Sequence, residues 1–213
     1  DTDRSRGLGD VYKRQDFTGE LNGNVPEAAF YDKAYRGRWN GLTVISLSIG
    51  QGELGCTPLQ MANMVATVAN RGHYRIPHVV KRIHDRDSID ARFYEDHHTK
   101  VDARHFDPIV EGMYKAVNEG GTGRIAMVPG LDICGKTGTA QNPHGADHST
   151  FFCFAPRNDP KIAVSVYVEN GRFGATIAAP IASLLTELYL TDTITRPALV
   201  DYVKNMQIAY PYY

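Results

Sequence analysis

Ile133-Cys134-Gly135-Lys136-Thr137-Gly138-Thr139-Ala140-Gln141 is the stretch that decides how this chain folds. On an extended strand alternate side chains share a face, so Lys136 and Gly138 point one way and Thr137 and Thr139 the other. Gly138 leaves the backbone open to close approach, between an ammonium and two hydroxyls. That is a cradle for an anionic, peptide-like ligand laid along a strand edge. Read from Gly130, the same letters also spell G-x-x-x-x-G-K-T, the phosphate loop of a nucleotide binder. Such a loop needs a glycine-rich turn and a helix that starts at the Lys. Here Leu131-Asp132-Ile133-Cys134 is strand-like, and Gly138-Thr139-Ala140-Gln141-Asn142-Pro143 is a poor helix.

Outward from this strand, residues 150–155 and 162–169 read as two further strands, joined through Pro156-Arg157-Asn158-Asp159-Pro160. Ile177, Ile181, Leu184, Leu185 and Leu188 line one face of a following helix. The tail from 191 to 213 has weak periodicity and is expected to pack loosely. Upstream, Asp107-Pro108 opens a helix whose Val110, Met113, Tyr114 and Val117 follow the i, i+3, i+4, i+7 rule, and Gly120-Gly121 ends it. Thr57 caps another helix, with Pro58 at its first position and Gln60 completing a capping box; Met61, Val65 and Val68 mark its buried stripe. The apolar run 43–49 reads as a strand, and 16–40 as irregular packing around Trp39. The order predicts an α+β fold, a mainly antiparallel sheet packed with helices.

Gly135-Lys136-Thr137-Gly138-Thr139 resembles the third signature of the penicillin-recognising serine enzymes, whose set is S-x-x-K, S-x-N and K-T-G. Three more segments resemble the class B penicillin-binding proteins that cross-link peptidoglycan during elongation: Leu47-Ser48-Ile49-Gly50-Gln51-Gly52 with Thr57-Pro58-Leu59-Gln60-Met61-Ala62, then Gly112-Met113-Tyr114 to Gly120-Gly121-Thr122-Gly123, then His148 to Pro156. The resemblance runs from about Asp16 to Leu190 and implies the C-terminal portion of the β-lactamase-like transpeptidase fold. No Ser is followed by Lys three positions later, and none begins S-x-N. The chain is therefore expected to be a piece of a transpeptidase domain that lacks the nucleophile and is inactive alone.

By resemblance, Lys136 attracts the substrate carboxylate and assists proton movement, and the Thr139 N–H serves as one of two oxyanion donors. Lys136, Thr137, Gly138, Thr139 and Gln141 then form the substrate-binding set. The intact enzyme would attack D-Ala-D-Ala through an acyl-serine, with β-lactams as mimics and no cofactor or metal. Its implied partners are peptidoglycan stem peptides and lipid-linked precursors supplied through a partner glycosyltransferase. Its implied place is the bacterial inner membrane, with a periplasmic catalytic domain and an anchor outside these residues. A serine β-lactamase or D,D-carboxypeptidase of the same superfamily is the alternative, which the Ser-Ile-Gly-Gln-Gly and Thr-Pro-Leu-Gln-Met segments disfavour.

Residues 5–15, Ser-Arg-Gly-Leu-Gly-Asp-Val-Tyr-Lys-Arg-Gln, read as the translation of a transposon adapter, with a basic arm of Arg4, Arg6, Lys13 and Arg14 as the alternative, and residues 1–15 are set apart; 16–190 is the domain and 191–213 the tail. The formal net charge of −1 gives no electrostatic case for nucleic acid. No run approaches the ~18 apolar residues that read as a membrane span. Cys56, Cys134 and Cys153 are odd in number and lack metal-ligand spacing, so they are expected as buried free thiols. His84, His97, His98 and His105 fall in 73–106 without paired spacing, which reads as a solvated insertion and not as a metal site. The run 162–168 is β-prone and uncharged, an aggregating edge if unpaired, with Val166 a place for a protecting charge.

Overall fold

The structure, a computed structural model, describes residues 21–82 and 89–208. Its centre is a three-stranded antiparallel sheet of β3 (Cys134–Ala140), β4 (His148–Ala155) and β5 (Ile162–Val168), in the order β3-β4-β5. Gly138 lies opposite Thr150, and Phe151 opposite Val166. The α+β expectation and all three strands hold. Because β3 continues to Ala140, no helix begins at Lys136, and the phosphate-loop reading fails.

Helices cover both faces. α3 (Pro58–Ala69) and α4 (Phe106–Asn118) bury Val65, Ala69, Val110 and Met113 with Cys134 and Phe154 on one side. On the other, α5 (Ala178–Thr191) sets Ala178, Ala179 and Ala182 against Phe151 and Cys153, joined by Val117, Ala126, Val128 and Ile133. The expected leucine face of α5 is thus half wrong. Leu184 is buried, but Leu185 and Leu188 are 49% and 44% exposed, and the buried face is a stripe of small side chains. Alanines let the helix lie close on a sheet whose bulk is supplied by Phe151.

α3 starts as its capping box dictates: Thr57 Oγ1 accepts from the Gln60 N–H at 3.2 Å, and Gln60 Oε1 accepts from the Thr57 N–H at 2.8 Å. The same device makes residues 41–48 a helix. α2 (Gly41–Ser48) is capped by Asn40, whose Oδ1 accepts from the Leu42 N–H at 2.9 Å and whose own N–H reaches Thr43 Oγ1. That cap overrides the β-branched run, and no α2 residue is buried. The stretch before it is also more ordered than expected. α1 (Ala28–Ala34) buries Tyr31, and Asp32 accepts from Trp39 Nε1 at 2.7 Å.

The tail is not loose either. α6 (Pro197–Asn205) is latched to α5 by Glu187, which is 1% exposed. Its carboxylate accepts from Thr195 Oγ1 at 2.6 Å, the Thr195 N–H at 2.9 Å and Arg196 Nε at 2.9 Å. Tyr202 adds a hydrogen bond to the Thr176 carbonyl at 3.0 Å. Burial pushes the Glu187 carboxyl up, and the Thr195 and Arg196 contacts outweigh it, so the group sits below the ordinary carboxylate range. Stability from this latch is complete above the unfolded carboxylate pKa and fades as pH falls through the lower folded value. Replacing Glu187 with Ala strands Arg196 and should cost about 3 kcal/mol, read as a drop in thermal midpoint that shrinks at acid pH. A midpoint unchanged at neutral pH would show that the latch carries nothing.

Two cysteines match expectation and one does not. Cys134 and Cys153 are buried, free and on opposite faces of the sheet, and burial pushes each thiol up to about 12. Cys56 is exposed. β5 pairs only with β4 among the described residues, so its outer edge carries unpaired backbone. Val166, however, packs against the α5 cluster and cannot take a charge; Tyr167, on the other face and 43% exposed, can. Tyr167→Lys should raise the monomer fraction of this chain in size-exclusion chromatography, and a monomeric unmodified chain would mean the edge is covered.

Candidate functional site: the open edge of the central sheet

β3 is bonded to β4 along one side and to no strand on the other among the described residues. In an antiparallel pair, residues alternate between pointing their N–H and C=O at the partner and away from it. The Lys136 ammonium lies 2.8 Å from the Thr137 carbonyl oxygen, which fixes Thr137 as an outward-facing residue. Two positions on, the Thr139 N–H faces outward too. An ammonium and a free backbone amide therefore meet at one edge, although the Lys136 and Thr139 side chains belong to opposite faces. This resolves the conflict posed by strand alternation: the edge, not a face, gathers the polar groups.

The two threonines differ. Thr137 Oγ1 hydrogen-bonds Thr122 Oγ1 at 2.9 Å, and Thr122 stands in the Gly120-Gly121-Thr122-Gly123 turn that follows α4. Asn118, at the end of α4, donates to the Ile133 carbonyl at 2.8 Å and ties the same turn to the residue before β3. Thr137 is thus held from behind by a partner that sequence reading did not assign. Among the described residues no side chain holds the Thr139 hydroxyl in this way. Gln141 is exposed just past the end of β3. The sequence-predicted set of Lys136, Thr137, Gly138, Thr139 and Gln141 is contiguous, with Thr137 turned toward the protein.

Space requires a glycine on each face of the motif strand, Gly138 on one and Gly174 on the other. A Cβ on Gly138 would meet Thr150 Cγ2 at 2.5 Å. On the other face the turn before α5 brings Gly174 against the strand pair; a Cβ on Gly174 would fall 2.4 Å from the Thr150 carbonyl and 2.5 Å from that of Gly138. Ser149 Oγ fixes this turn, donating to the Phe173 carbonyl at 2.9 Å and accepting from the Ala178 N–H at 3.2 Å. The motif strand is clamped between Thr150 and Gly174.

Known proteins resemble this arrangement closely. Residues 7–187 match the model of the penicillin binding protein transpeptidase domain. The peptidoglycan D,D-transpeptidase MrdA of Haemophilus influenzae is 34% identical over 196 residues, 82% of this chain and 30% of that protein. Pseudomonas aeruginosa PBP2, solved in complex with WCK 5153, superposes with a TM-score of 0.75 at 36% identity, covering 87% of this chain and 41% of that one. A peptidoglycan synthase complex that coordinates polymerization and crosslinking gives a TM-score of 0.66 at 28% identity, over 83% of this chain and 30% of the other. This chain belongs to the penicillin-binding protein transpeptidase family, and its fold is the α+β fold of that family. It spans about 30% of the length of the curated relative it matches.

Among the described residues no three His, Cys, Asp or Glu side chains stand together as a metal centre, and no helix is long and apolar enough to cross a membrane. The clamp on Gly138 gives a clean test. Gly138→Ala should destabilise by roughly 1–3 kcal/mol through overpacking, and adding Thr150→Ser, which removes the one clashing methyl, should recover most of the loss. A Thr150→Ser change that recovers nothing would place the strain elsewhere.

Proposed function

We propose that the open edge of β3 is the substrate-docking edge of a peptidoglycan D,D-transpeptidase, acting in the intact protein together with residues that this chain does not hold. The observation that carries this is the convergence of the Lys136 ammonium with the outward backbone of Thr137 and Thr139. A stem peptide ending in D-Ala-D-Ala is extended and carries a terminal carboxylate. It suits a strand edge that offers unpaired amides and a cation. The Thr139 N–H supplies one of two oxyanion donors, and loss of one such donor costs ~3 kcal/mol of transition-state stabilisation. Lys136 holds the carboxylate and assists proton movement around an acylated serine that lies outside these residues.

β-Lactams share the carboxylate and the reactive carbonyl, so they dock on the same edge and remain as acyl-enzymes. The partners follow from this reading. Stem peptides are the substrate, and a glycosyltransferase supplies lipid-linked strands, as the likeness to a synthase that couples polymerization to crosslinking supports. The intact protein would then work at the periplasmic side of the inner membrane.

Lys136→Arg in the intact enzyme keeps the charge and replaces a compact ammonium with a wide planar fork. Acylation by a fluorescent penicillin should slow by more than tenfold with the fold intact, whereas wild-type acylation would remove Lys136 from the carboxylate site. This chain alone has no S-x-x-K and should give no labelled band on a denaturing gel. A stoichiometric band would contradict the requirement for an outside serine.

A further inference from the structure

The segment between α3 and α4 holds an arrangement that the sequence concealed. β1 (His73–Tyr74) and β2 (His97–His98) pair antiparallel, with His73 opposite His98 and Tyr74 opposite His97. The Tyr74 and His97 rings stack on one face, 5.2 Å apart. On the other, the His73 and His98 rings face each other with centres 6.0 Å apart, His98 exposed and His73 partly so. In line with them, Arg75 Nε donates to Asp96 Oδ1 at 2.8 Å. That hydrogen bond holds the Asp96 carboxyl below the ordinary carboxylate range.

We propose that His73 and His98 form a cross-strand chelate for a borderline divalent transition ion, Zn²⁺ or Cu²⁺, with water completing the coordination. Neutral imidazoles suit these ions and not Mg²⁺ or Ca²⁺. A metal–nitrogen distance of about 2.1 Å puts two rings sharing one ion roughly 5 Å apart at a tetrahedral angle. The observed ring centres, 6.0 Å apart, stand about 1 Å beyond that separation. Fewer than three protein donors makes the site open and weak compared with a structural zinc centre.

The site has a structural consequence. β1 and β2 meet over only two residues each, reinforced by the Thr99 N–H bonded to the Gly72 carbonyl at 2.8 Å, and the chain between them makes a long excursion. An ion on His73 and His98 ties both ends of that excursion, which restricts the open chain as any cross-link does. This clamp does not rest on the transpeptidase reading and is tested without activity.

The test is titration of this chain with Zn²⁺, followed through imidazole proton resonances and heat. One equivalent should move the His73 and His98 signals first. His98→Gln, at an exposed position, should weaken binding at least tenfold while leaving the amide spectrum folded. His105→Gln should change nothing. Arg75→Ala removes a repelling cation, so it should tighten binding several-fold. Mg²⁺ should produce no shift. Equal movement of all histidines, wild-type affinity in His98→Gln, or no tightening in Arg75→Ala would overturn the proposal.

Discussion

One asymmetry organises this molecule: among the described residues, β3 is hydrogen-bonded to a strand along one side and to none along the other. A strand in that position presents unpaired amides and carbonyls, which natural proteins normally hide. Here the exposed backbone is useful because it is rigid. Cys134 and Phe154 pin one face under α3 and α4, and Phe151 and Cys153 pin the other under α5. Thr150 and Gly174 close on Gly138 from either side, and Thr122 takes the Thr137 hydroxyl. Little freedom remains except at the Lys136 side chain, whose ammonium is parked on a carbonyl of its own strand and is available to a better anion.

The electrostatics of the interior serve the same end. The two thiols that flank the motif strand are kept protonated by burial, so they act as small apolar fillers with no nucleophilic role. Arg157, beside the turn between β4 and β5, stacks 4.8 Å from the Tyr114 ring and pairs with Glu111, fastening that turn to α4. Glu111 is paired a second time, with Lys115 one helical turn on. Glu111 and Arg157 are thus committed to holding helix and turn together.

Much of this was legible in the sequence, for local reasons. The three strands carried β-branched and aromatic residues between turn signals, and α3 and α4 declared themselves through Thr57-Pro58 and Asp107-Pro108. What escaped notice depended on contacts distant in sequence. The β-branched run Thr43-Val44-Ile45 reads as a strand, and only the Asn40 cap that precedes it marks α2 as a helix. α6 looked like a loose tail because its anchor, Glu187, lies one helix earlier and its own residues are not buried. Hydrophobicity alone points every α5 leucine inward, whereas the sheet takes Ala178, Ala179 and Ala182 and leaves Leu185 and Leu188 exposed. Within the site, the Lys136-Thr137-Gly138-Thr139 letters gave the chemistry but not the edge geometry, and Thr122 was visible only as a turn residue. His73 and His98 are far apart in sequence, so no spacing rule pairs them.

The central claim is that ligands dock along the open edge of β3. The most direct measurement is a crystal structure of the intact enzyme acylated by a penicillin. The account predicts the acyl carbonyl oxygen within about 3 Å of the Thr139 amide nitrogen, the ligand extended along β3, and its carboxylate near the Lys136 ammonium. An adduct whose carbonyl is held by other donors, with the β3 edge left empty, would contradict it.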